Sequence, residues 1–256
     1  MTIGEYGQDI ESAENFFRRR ERDIVQMAGD SGLQSRALEL QVAATVHRYG
    51  YQQVWCGVPV IRLPDDIMLL QEIVFSLKPQ AIIETGVARG GSLLLNASLM
   101  EISGIRPNVL GIDIQILNHA REAIDGSRYS RYIDLVEGDS TSIIAQTAIQ
   151  RHLEVTSSEK PALLILDSNH THEHVSKELE ILTPYLPLGS VVIVADTLIE
   201  DMPEKLYENR PWGVGNNPLT AVRSFLAKNS NYELHKQWAR RGLISELRDG
   251  ILIKVA

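Results

Sequence analysis

From residue 80 onward the chain alternates short aliphatic runs with helical patterns, and this alternation restricts its possible folds more than any other feature. The runs fall at 81–83, 109–113, 133–136, 162–166, 191–194 and 251–255. Their near-continuous Val, Ile and Leu mark strands buried on both faces. Helical patterns over 92–102, 141–153, 171–182 and 218–228 stand between them. The expectation is an α/β fold with a doubly wound, mostly parallel sheet. Ahead of it, helices over 11–27 and 35–49 form an extension, and a helix over 66–77 is expected with Asp65 as its N-cap. Arg18, Arg19, Arg20 and Arg22, interleaved with acids, read as a solvated helix face. Two regions follow: 1–64 as helical extension and leading loop, and 65–256 as the ligand-binding domain. Within the second, prolines and glycines near 198–219 mark a lid.

Composition narrows the function classes. The 256 residues carry 25 Lys+Arg against 33 Asp+Glu, a net charge of −8, which argues against a general nucleic-acid binder. No apolar run approaches the roughly 20 residues of a membrane span, and the polar N-terminus lacks a secretory pattern. Cys56 stands alone, so an internal disulfide is impossible and a cytoplasmic location is expected. Cys56 itself reads as a half-buried small hydrophobe.

In an open parallel sheet, ligands bind beyond the carboxyl ends of the strands. The first strand leads into Glu84-Thr85-Gly86-Val87-Ala88-Arg89-Gly90-Gly91-Ser92. Its glycines permit a tight turn, and the helix it opens favours an anionic group such as a carboxylate. The spacing matches neither the dinucleotide GxGxxG nor a phosphate-binding P-loop. The second strand ends at Asp113, suited to a ribose diol, and the third is followed by Asp139 and Ser140, where Asp139 can meet an exocyclic amine. Together they describe a nucleoside pocket with a carboxylate site beside it. S-adenosylmethionine fits this better than NAD, because Glu84 can answer its ammonium. The fourth and fifth strands end in Asp167 and Asp196, a carboxylate pair suited to Mg²⁺. His170, His172 and His174 spread around a helix rather than converging on zinc, and one histidine near the site suits a general base.

The stretches Tyr49-Gly50-Tyr51, Gly57-Val58-Pro59-Val60, Leu63-Pro64-Asp65-Asp66, Ile83 to Ser92 and Leu166-Asp167-Ser168-Asn169-His170 resemble the cephalosporin hydroxylase family. The resemblance spans roughly residues 45–255. It implies a class I methyltransferase, Rossmann-like fold, S-adenosylmethionine as cofactor and often Mg²⁺. Relatives include rhamnosyl and macrolide-sugar O-methyltransferases. The implied activity is O-methylation of a small-molecule hydroxyl, with a sugar or natural product as acceptor. Metal-dependent relatives place one acid at Asp167 and an acidic pair whose second member is Asp196. Ala195 stands where the first of that pair is expected. The same comparison makes His170 the base. Tyr207 and Trp212 are expected to wall the acceptor site. A β-lactam-tailoring hydroxylase or partner protein and a non-catalytic cofactor-binding module are the competing readings. The N-terminal helices are candidates for homo-oligomer contacts.

Overall fold

The computed structural model describes residues 12–154 and 160–256. Glu11, where the first helix was expected to start, lies outside them. Helices α1 (Ala13–Gly29) and α2 (Ser31–Thr45) lead into a hairpin of β1 (Gln53–Trp55) and β2 (Val58–Val60), then α3 (Pro64–Leu77). Next come β3 (Ile82–Thr85), α4 (Gly91–Ile102), β4 (Val109–Asp113), α5 (Asn118–Asp125) and β5 (Ile133–Glu137). The second half carries α6 (Ile143–Glu154), β6 (Leu163–Leu166), α7 (His172–Leu182), β7 (Val191–Val194), α8 (Pro218–Lys228), β8 (Tyr232–Leu234) and β9 (Ile251–Lys254).

Among the described residues the central sheet has the order β5-β4-β3-β6-β7-β9-β8. The first five strands in that order run parallel, and β9 returns antiparallel between β7 and β8. This is the doubly wound sheet expected. β3, β6 and β7 are buried along their whole length because helices cover both faces. Each fully buried Leu or Ile there contributes about 1.5–3 kcal/mol of transfer free energy. Strand order reverses between β3 and β6, which opens a crevice at their carboxyl ends.

Several local expectations differ from the structure. Asp65 does not cap α3: Leu63 is the N-cap and Pro64 opens the first turn, where its missing N–H costs nothing. The Asp65 carboxylate instead accepts from the N–H groups of Leu243 and Ile244 at 3.1 and 3.0 Å. Cys56 is exposed rather than half-buried, because it sits with Gly57 in the hairpin turn at φ +51° and +84°. Arg20 leaves the solvated face of α1 to bond both oxygens of Glu72 at 2.7 and 2.8 Å. Helix α5, which the sequence patterns did not mark, is only eight residues long and buries Ala120 and Ile124.

The hairpin is pinned to α4. Trp55 Nε1 donates to Ser98 Oγ at 2.9 Å, and a Cβ added at Gly91 would lie 2.2 Å from the Pro59 carbonyl oxygen. Only glycine allows this approach, which brings the segment 49–61 over the crevice.

Candidate active site

One end of the crevice is built from backbone. After β3 the chain turns at Gly86, with φ +95°. A Cβ there would lie 2.1 Å from the Asp167 carbonyl oxygen, so the turn passes directly against the end of β6. Val87 and Ala88 then donate their N–H groups to Asp113 Oδ2 at 2.8 and 3.3 Å, and Gln115 N–H donates to Oδ1 at 3.1 Å. These bonds fix Asp113 at the rim while leaving one lone-pair site on Oδ1 for an incoming hydroxyl. Gly90, in the left-handed region, caps α4 from behind. Arg89 reaches across the rim to His119 at 3.1 Å.

Glu84 lies beneath this turn, almost fully buried. Asn96 Nδ2 donates to it at 2.6 Å and Arg62 Nη2 at 3.3 Å. Burial pushes its carboxyl above the ordinary range, against the pull of Arg62, Ser92 and Asn96. A buried carboxylate facing a cleft suits an incoming ammonium.

The other end is built from charge. Asp167 follows β6 and Asp196 follows β7, with Asp196 in the left-handed region at φ +56°. That conformation costs about 1–3 kcal/mol in a non-glycine residue and is concentrated at functional sites. It turns the Asp196 carboxylate toward His170, with Oδ2 at 3.3 Å from Nδ1. Ligand atoms of Asp167, His170 and Asp196 lie within 4.8 Å of one another. Asp167 Oδ2 is also 3.6 Å from Arg62 Nη2. Burial lifts the Asp167 carboxyl to about 7, opposed by Arg62 and reinforced by Asp196. The Trp212 ring packs edge-on against His170 at 4.7 Å, and the Arg210 guanidinium covers Trp212 at 5.4 Å. Burial, aided by Asp196, raises the Tyr207 phenol to about 12, so it stays a neutral donor.

Both ends open into one cleft of about 750 Å³, within the range of small-molecule sites. Of the residues singled out from sequence, all line it except Gly90, Asp139 and Ser140. Asp139 is exposed, and its Oδ1 accepts from the Thr141 N–H and hydroxyl at 2.7 and 2.8 Å. Those bonds hold its carboxyl below the usual range. Ser140 is buried and faces His174, with Oγ at 3.0 Å from Nε2. Ser168 Oγ lies 3.2 Å from the same nitrogen and donates to Glu178 Oε1 at 2.8 Å. Ser168 must therefore accept from His174, which carries its proton on Nε2. His172 points elsewhere, bonding Thr220 Oγ1 through Nδ1 at 2.8 Å and so tying α7 to α8. The three histidines thus serve three different contacts, and none pairs with another.

Sequence reasoning missed Arg62, Arg210 and Glu246. Arg62 is the buried guanidinium shared by Glu84 and Asp167, and Glu246 lines the cleft beside Asp196. Neither sits at a strand end, so strand-end logic had no signal for them. Position 198–219, expected as a lid, holds 3-10 turns at Thr197–Asp201 and Glu204–Leu206. Glu200 Oε2 braces it by accepting from Gly215 N–H at 2.8 Å and Asn217 Nδ2 at 2.5 Å. Its last residues, from Pro218, belong to α8. No described helix is long and apolar enough to cross a membrane.

The profile of the family described as Rhamnosyl O-methyltransferase/CmcI matches residues 47–255. A Rhamnosyl O-methyltransferase of Mycobacterium tuberculosis is 29% identical over 192 residues, covering 72% of this chain and 73% of that protein. An apo structure of CmcI superposes with a TM-score of 0.59 at 22% identity, covering 80% of this chain and 77% of its own. A CmcI structure with Mg and S-adenosylmethionine superposes with a TM-score of 0.53 at 24% identity, covering 80% and 78%. At these identities the two structures establish the fold, that of a class I methyltransferase.

Proposed function

We propose, from the premise that this chain belongs to the Rhamnosyl O-methyltransferase/CmcI family, that it transfers a methyl group from S-adenosylmethionine to a hydroxyl of a small-molecule acceptor. The observation that carries this is a single cleft with a nucleoside-type acid, Asp113, at one end and a His170–Asp196 pair at the other. The name of the mycobacterial relative points to a sugar hydroxyl as acceptor.

The residues fit the cofactor. Asp113 retains acceptor capacity for a ribose hydroxyl, the helix opened by Gly91 offers free N–H groups to a carboxylate, and buried Glu84 suits the ammonium. They also fit a divalent cation, since Asp167 and Asp196 present oxygen donors over an open crevice. When bound, the cofactor supplies an electrophilic sulfonium methyl, and a cation would lower the pKa of an acceptor hydroxyl.

The protein's part is orientation, desolvation and proton transfer. Asp196 Oδ2, 3.3 Å from Nδ1, favours the tautomer protonated on Nδ1, which leaves Nε2 of His170 as the acceptor for the hydroxyl proton. Asp196 orients the ring and steadies the imidazolium that forms. Trp212 holds the ring from the side, and Tyr207 and Arg210 supply donors for the remaining acceptor oxygens. We read 198–217 as the lid that excludes water, and the chain as a cytoplasmic enzyme in keeping with its lone Cys56.

A hydroxylase reading has less support: one histidine beside two carboxylates is not the two-histidine, one-carboxylate set of non-haem iron oxygenases. The test is calorimetric titration of S-adenosylhomocysteine, followed by labelled methyl transfer to rhamnosides and other glycosides. Micromolar binding lost in Asp113→Ala, with label transferred to a hydroxyl, is expected. Absence of binding would overturn the reading.

A further inference from the structure

The cation site inferred above lacks one expected acid, because Ala195 stands where relatives carry the first of a carboxylate pair. Ala195 is buried among apolar residues, so it offers nothing to an ion. Yet the crevice is not short of carboxylates. The segment before β9 passes beside the Asp196 loop, and Glu246 enters the cleft from it.

Glu246 is held there by its backbone. Its N–H donates to Asp66 Oδ2 at 2.9 Å, and its carbonyl accepts from Thr197 Oγ1 at 3.0 Å and Leu198 N–H at 3.4 Å. The two residues directly after Asp196 are thus laced to Glu246. From the other side, Asp65 accepts from Leu243 and Ile244, and Asp66 accepts from Ser245 Oγ. The Leu63-Pro64-Asp65-Asp66 corner therefore fixes where Glu246 stands. Its side chain is left free. Among the described residues the Glu246 carboxylate makes no hydrogen bond or ion pair, although the charges of Asp196 and Asp167 act on it. It lies outside the 4.8 Å cluster of Asp167, His170 and Asp196. It lines the same cleft as all three, and its side chain has three rotatable bonds with which to approach them.

We infer that Glu246 supplies the third carboxylate of the cation site in place of the acid absent at position 195. Two acids from strand ends and one from the β9 approach then surround the ion, while His170 remains free to act as base. The inference rests on the methyltransferase reading of the same cleft, and its test separates the two.

The probe is Mn²⁺, followed by loss of its free electron paramagnetic resonance signal on titration into the intact chain, with and without S-adenosylhomocysteine. Saturable binding to the wild type is expected, weakened at least tenfold in Glu246→Gln and in Asp196→Asn, with Glu246→Asp between. Calorimetric affinity for S-adenosylhomocysteine without metal should stay within about twofold in Glu246→Gln, which shows the pocket intact. A Glu246→Gln chain that holds Mn²⁺ as the wild type does, while Asp196→Asn loses it, would overturn the inference. So would a wild type that binds no Mn²⁺ under either condition. In both cases retained S-adenosylhomocysteine binding leaves the methyltransferase reading standing, and loss of that binding alone removes the latter.

Discussion

The two ends of the cleft are held by different forces. At the cofactor end, backbone amides of Val87 and Ala88 grip Asp113, and glycines let the chain turn where no side chain fits. Its members fall within one strand-turn-helix-strand unit, residues 84–113. At the acceptor end, Arg62, Asp66, Asp167, Asp196 and Glu246 balance one another from four separated segments. Amide geometry is nearly indifferent to pH and to its neighbours' charge. A half-buried carboxylate cluster is not, since removing one member leaves the others uncompensated. On the proposed reading the cofactor end is therefore the constant part of the machine, and the acceptor end carries its base, its pH response and its selectivity.

Substitutions should separate the two ends cleanly. The largest effect is expected from His170→Ala, which removes the proposed base: kcat should fall about 10²–10⁴-fold, while calorimetric affinity for S-adenosylhomocysteine changes by less than about twofold. A matching loss of cofactor affinity would break the division. Gly86→Ala attacks a point where the two ends touch. Its Cβ would enter the Asp167 carbonyl, so urea denaturation should show a loss of about 3 kcal/mol or more. Asp113→Ala should raise the S-adenosylhomocysteine dissociation constant about 10–100-fold, the worth of one or two charged hydrogen bonds, with kcat at saturating cofactor changed far less.

A pH series sharpens the contrast further. Burial lifts the Asp66 carboxyl from 3.8 to about 7, against bonds from Ser245 and Glu246. Its folded value lies above its unfolded one, so its contribution is complete at low pH and is lost as pH rises through the folded value. Between about pH 4 and pH 7 the wild type should lose about 1–3 kcal/mol relative to Asp66→Asn in paired urea titrations. Equal slopes would mean that the carboxylate is already ionised at pH 4. The smallest effect belongs to the periphery. Arg20→Ala breaks a part-exposed pair with Glu72, and Arg241 still covers that acid, so the loss should stay under about 1 kcal/mol in the same assay.

The legibility of the molecule in sequence follows the same division. β4, β7 and α8 have the bounds their aliphatic and helical patterns predict. The Glu84–Ser92 turn was readable because glycines and a helix start follow a buried strand. Asp167, His170 and Asp196 were readable because strand ends in a parallel sheet converge. Asp139 and Ser140 satisfied the same rule yet face away from the cleft, since local bonds to Thr141 and His174 claim their side chains. The N-cap at Asp65 failed for a related reason: a partner 178 residues away took its carboxylate.

Periodicity and turn chemistry act over a few residues, so the sequence alone determined the sheet, its winding and the glycine turn proposed to receive the cofactor. Burial, by contrast, depends on which distant segments fold together. Asp66 and Glu246 lie 180 residues apart and are joined by a hydrogen bond. Only the tertiary structure decided that Arg62 would sit between Glu84 and Asp167, and that an acid from the β9 approach would line the same cleft as Asp196. Charges interact through space with a strength set by distance and burial, and neither is a property of position along the chain.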